Sequence, residues 1–252
     1  MAEITGEITE QKKPYWGPWP TVGFGCGILV AGIIVTLVVI IIFLIVKFVN
    51  DSTFSIDKIA QYLRTNGLYF SISTIVTAVV CVGLIALIIK WRHTLSITEY
   101  LGLQWISVKT LLISLAIGIG VAILMDGLTY LLKKPVVTEW QLEMFTATNP
   151  VMLWLSLIVF TPIFEETLFR GFLFEGFRHS RIGVIGAVIL TAFLWAISHV
   201  QYDTYGIAQI FVLGIVLGIV RFKTGSLWST ISMHALINLI ATVETVFYVT
   251  GH

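Results

Sequence analysis

Polar and apolar positions fall into long blocks along this chain rather than alternating. Seven apolar blocks, 22–49, 70–90, 110–132, 148–174, 182–201, 205–221 and 226–249, lie near or above the roughly 20 residues that cross a bilayer as a helix. A backbone in lipid must satisfy its own N–H and C=O groups, and spanning strands would show short alternating segments, so the blocks predict helices throughout. The expected fold class is all-α, a polytopic transmembrane bundle of about seven spans. A single integral membrane domain is expected over 1–252: a tail at 1–21, three spans with their loops at 22–147, and a core at 148–250 holding the last four. Between the second and third blocks, SITEYLGLQWISVK is short and amphipathic, which predicts a segment lying on the membrane surface.

Composition agrees with the pattern, since 57% of the 252 residues are hydrophobic and only 12% charged, so the bilayer is the solvent. A net charge of +1, with no basic cluster, argues against nucleic acid as a partner. The first block exceeds the roughly 7–15 residues of a signal-peptide core and no small-residue cleavage site follows, which predicts an uncleaved anchor. Cys26 and Cys81 lie inside apolar blocks, without the CxxC or nearby His of a zinc site, and read as small hydrophobes. With the N-terminus inside, Lys12, Lys13, Lys90, Arg92, Lys109, Arg178, Arg181, Arg221 and Lys223 are cytoplasmic and Lys47, Lys58, Arg64, Lys133 and Lys134 are outside. Nine basic residues against five favour N-terminus in and C-terminus out, and the expected location is a bacterial cytoplasmic membrane.

A few residues are too costly in lipid to be incidental. FEETLFR at 164–170 puts Glu165, Glu166 and Arg170 into the fourth block, at about 2.5–3.5 kcal/mol each if uncompensated. Glu166 and Arg170 share a helical face at i,i+4 and can neutralise one another, which leaves Glu165 free. Pro162, just upstream, predicts a kink before the acidic pair. In the fifth block Trp195 and His199 are spaced i,i+4, as are His234 and Asn238 in the seventh. Counting helical rise from the nearest cytoplasmic basic residue puts Glu165, His199, His234 and Asn238 at roughly 16–27 Å, one slab reaching past mid-membrane.

The order EExxxR, aromatic-xxxH, HxxxN, standing here as EETLFR (165–170), WAISH (195–199) and HALIN (234–238), resembles the CAAX protease and bacteriocin-processing family. That family includes the type II CAAX prenyl endopeptidases and the abortive-infection proteins. The resemblance covers about residues 148–245. It implies a membrane endopeptidase in which Glu165 activates water, His199 assists, and His234 with Asn238 stabilises the oxyanion, with Glu166 and Arg170 as the supporting pair. Where many relatives have Phe, this chain has Trp195, expected to form an aromatic wall for substrate.

The implied partner is a membrane-associated protein or peptide. No cofactor is favoured, although Glu165, His199 and His234 could supply three ligands to a zinc ion. Neither HExxH nor GxSxG occurs, and no GxGD follows the Tyr202-Asp203 pair, so the other membrane-protease chemistries lack their motifs. Two alternatives use the same residues: a transporter or ion pathway, and a non-catalytic immunity or scaffold protein. Asp126 reads as a packing or water-facing carboxylate, Glu244 as reaching the outer interface, and Asp203, Glu139 and Glu143 as loop residues.

Overall fold

The computed structural model describes residues 15–92, 94–146 and 150–251, and among these it is helical with no strand. Helix α1 is Pro18–Asn50, started by prolines in its first turn and stopped at Asp51, whose carboxylate pairs with Lys47 at 2.8 Å. Helix α2 is Gly67–Arg92, and α3 is Val108–Leu131, capped by the Ser107 hydroxyl. A continuous run, α4, covers Pro150–Arg178. It is followed by α5 (Gly183–Ile197), α6 (Thr204–Thr224) and α7 (Leu227–Thr250). Asp203 caps α6 rather than lying idle in a loop, its carboxylate accepting from Gly206 N–H at 2.8 Å, and that bond holds its pKa below the ordinary range.

Six of these helices are long and apolar enough to cross a bilayer. The fifth expected span is a shorter apolar helix: α5 has 15 residues, a rise of roughly 22 Å against the roughly 30 Å of hydrocarbon, yet the chain changes sides here, because α4 and α6 end together at the Glu175–Arg221 pair. The cause of its shortness is local. Ser198 Oγ and His199 Nδ1 both bond the Trp195 carbonyl, at 2.7 and 2.8 Å, taking the acceptor that the next helical N–H would use.

Helices α5 and α6 pack closely along Gly214 and Gly218. A Cβ on Gly214 would lie 2.9 Å from Ala192 Cβ, and one on Gly218 would lie 3.0 Å from Val188 Cγ1. Helix α7 packs on α3 and α4, and α1 packs on α2. Leu168, Phe172, Phe174, Leu217 and Met233 form the interior, while Ile33, Leu37, Ile41 and Ile45 make an exposed i,i+4 row suited to lipid.

Three further expectations change. The segment expected on the membrane surface holds only a short helix, Ile97–Leu101, whose Tyr100 and Leu101 are buried in the protein. Its end is pinned under α7 by the bond from Leu227 N–H to Gly102 O. Glu139 and Glu143 lie on a helix, Glu139–Thr146, and Glu143 pairs with Arg64. Arg221, counted above as a flanking cytoplasmic charge, is buried. It donates to Glu175 at 2.7 Å and to the carbonyls of Leu101 and Arg170 at 3.1 Å each.

Candidate active site

Helix α4 changes register twice, running π-helical over Leu155–Phe160 and again over Thr167–Leu173, with the α-helical turn Thr161–Glu166 between. Pro162 opens that turn. In the π register, Thr161 N–H bonds Ser156 O, so residue 162 would next serve Leu157 O, and a proline has no N–H to give. The kink expected there therefore takes the form of a π turn with a carbonyl left over. Asn238 of α7 supplies the missing donor, its Nδ2 lying 2.8 Å from Leu157 O.

The α-helical turn carries Glu165 and Glu166 in different directions. Glu166 is fully buried and pairs with the equally buried Arg170 at 3.0 Å. Arg170 also donates to Gly214 O at 3.2 Å and stacks its guanidinium 4.3 Å from the Trp195 ring. Glu166 Oε1 accepts from His234 Nδ1 at 3.0 Å, which fixes that ring's orientation. Glu165, whose side chain is 17% exposed, faces the open side, with His234 Nε2 at 3.9 Å from its Oε2.

His199 sits in the turn after α5 rather than on the helix itself. Because a carbonyl only accepts, the bond to Trp195 O puts the proton on Nδ1, and a neutral ring then offers its Nε2 lone pair. Trp195, expected as a wall for substrate, is 2% exposed.

Glu165, His199, His234 and Asn238 line one cavity of about 470 Å³. A second cavity of about 890 Å³ shares His199, His234 and Asn238 and is also walled by Trp195. Tyr202 and Gln141 line both, and the sequence reading assigned neither. Burial and then the Glu165 charge push the Tyr202 phenol up to about 12, so it keeps its proton at neutral pH. Glu175, partner of Arg221, was also missed, because its i,i+3 neighbour Arg178 already accounts for it. Among the described residues no three His, Cys, Asp or Glu side chains are grouped as a metal site requires. Asp126 and Glu244 face each other across α3 and α7 and line the second cavity together with His199, His234 and Asn238.

Residues 147–240 match the family model described as Rce1-like type II CAAX prenyl endopeptidase. Over that segment the chain is similar to the CAAX proteases. The match takes in EETLFR, WAISH and HALIN and leaves the first three spans outside. The general activity that goes with it is that of a CAAX-type intramembrane protease. An Escherichia coli protein described as an uncharacterized 24.3 kDa protein is 27% identical over 175 residues, 67% of this chain and 76% of that one. No solved structure matches.

Proposed function

We propose that this protein hydrolyses a peptide bond of a membrane-associated protein or peptide, inside the bilayer, with water activated by Glu165. The observation that carries the proposal is the convergence of Glu165, His199, His234 and Asn238 on one cavity. Glu165 takes a proton from water as the oxygen attacks the carbonyl carbon, and His199 Nε2 accepts a second hydrogen bond from the same water. His234, held by Glu166 through Nδ1, turns its Nε2 edge to the developing oxyanion. Asn238 spends one N–H on Leu157 O and offers the other. Collapse of the tetrahedral intermediate breaks the C–N bond, and the proton held by Glu165 passes to the leaving amine.

Glu165→Gln is expected to lower peptide hydrolysis by about 10²–10⁴-fold at an unchanged melting temperature, measured with quenched peptides on protein reconstituted in nanodiscs. A fully active, folded variant would overturn the mechanism. The proposed reaction uses no metal, since Glu165 itself takes the proton from water. Activity should survive a strong chelator, and loss that zinc or cobalt restores would replace glutamate catalysis with a metal-centred one. The orientation goes with this proposal. With buried Arg221 set aside, eight basic residues against five still favour N-terminus in and C-terminus out of a bacterial cytoplasmic membrane. Reporter fusions at the two ends check it.

A further inference from the structure

The cavity's reactive carboxylate is held by a residue whose part in catalysis differs from that of an aromatic wall. Trp195 Nε1–H donates to Glu165 Oε2 at 2.6 Å, a short charge-assisted bond between α5 and α4. Among the described residues it is the hydrogen bond that holds that carboxylate, since His234 Nε2, at 3.9 Å, is beyond bonding distance. Glutamate has three side-chain torsions and Glu165 stands at the edge of a cavity, so without such a bond its carboxylate would sample several positions.

Trp195 is itself immobilised. Its face takes the Arg170 guanidinium at 4.3 Å, and its edges meet the rings of His199 and His234, each with centroids 5.2 Å away. Its backbone carbonyl also holds His199 Nδ1. One buried residue with two side-chain torsions thus touches the base, both histidines and the buried ion pair. A phenylalanine here would keep the ring and the cation contact but would have no N–H.

Resting on the reading of Glu165 as the base, we infer that Trp195 is a positioning residue of the hydrolytic site. Its indole N–H occupies Oε2 and fixes the rotamer, leaving Oε1 to take the proton from water. The indole therefore acts on the chemical step and not on substrate affinity. Losing the bond lets the carboxylate drift, and misplacement by about 1 Å can cost about 10²-fold in rate.

Two measurements test this. In the first, Trp195→Phe and an isosteric benzothienylalanine at 195, which replaces only the N–H by sulfur, are assayed in nanodiscs beside the wild type. The expected result is kcat down by about 10- to 100-fold with KM within about twofold. A raised KM with unchanged kcat in the benzothienyl protein would overturn the inference and return Trp195 to the substrate wall. If the Phe variant misfolds, the isostere, which leaves no void, still decides.

The second measurement is the indole ¹H–¹⁵N resonance of Trp195, assigned by its loss in W195F. Glu165→Ala should move it upfield while Asn238→Ala leaves it in place, and a resonance indifferent to Glu165 would overturn the bond. This arm needs no turnover. Wild-type protein that hydrolyses nothing would thus sink the hydrolytic reading, and Trp195's part in it, while an unmoved resonance would sink this inference alone.

Discussion

Arg170 shows how much one side chain can organise in lipid. It neutralises Glu166, caps the carbonyl of Gly214 and supports the Trp195 ring, all at zero exposure. Arg170→Leu would strand a buried carboxylate and should cost about 3–5 kcal/mol, read as a lowered melting temperature in detergent. Adding Glu166→Gln should recover part of that stability without restoring hydrolysis, since His234 would still lack its anionic partner. Gly214→Ala tests the same point from α6, because its Cβ would meet Ala192 at 2.9 Å and the guanidinium at 3.2 Å, an overpacking worth about 1–3 kcal/mol. The Glu166–Arg170 pair was legible in the sequence because i,i+4 spacing is a local rule. The bond from Glu166 to His234 was not, as 68 residues separate them and no periodicity encodes which helices meet. Glu175 and Arg221, 46 apart, were hidden for the same reason, and Arg221 looked like an ordinary interfacial charge.

At the scale of elements, hydropathy located the helices and misjudged how they end and turn. The block 182–201 reads as a span because its apolar residues continue, yet two polar side chains, Ser198 and His199, end α5 by capturing one carbonyl. Pro162 announced an irregularity, but a π turn differs from an α turn by one residue in hydrogen-bond register, which leaves no mark on composition. The consequence for the site is specific. With an N–H at 162, the helix could serve Leu157 O itself and Asn238 would lose its anchor. Pro162→Ala should therefore hold or raise the melting temperature, since alanine suits a helix better, while kcat falls by about tenfold or more. Full activity in that variant would show that the leftover carbonyl does not position Asn238.

Across the whole molecule, function depends on space between helices that no single segment describes. Counting helical rise put the four polar residues at similar depth, and that estimate needed nothing beyond sequence. Their convergence needed α4, the end of α5, and α7 to enclose a common cavity. If peptide enters through the two adjoining cavities, filling their shared wall should block it without disturbing the fold. Ala241 is suited to this test: it is half-buried, lines both cavities, and lies one helical turn beyond Asn238 on α7. An indole at 241 would occupy existing void, so Ala241→Trp is expected to keep or slightly raise the melting temperature, unlike a large side chain forced into a packed core. Hydrolysis should nonetheless fall to background, while Ala241→Ser, which adds little volume, should stay within about threefold of the wild type. Trp195's indole resonance offers a control in the same sample, since the bond to Glu165 lies on another helix and should persist in the blocked protein. Undiminished hydrolysis in a folded Ala241→Trp protein would show that the substrate reaches Glu165 by a path outside these cavities.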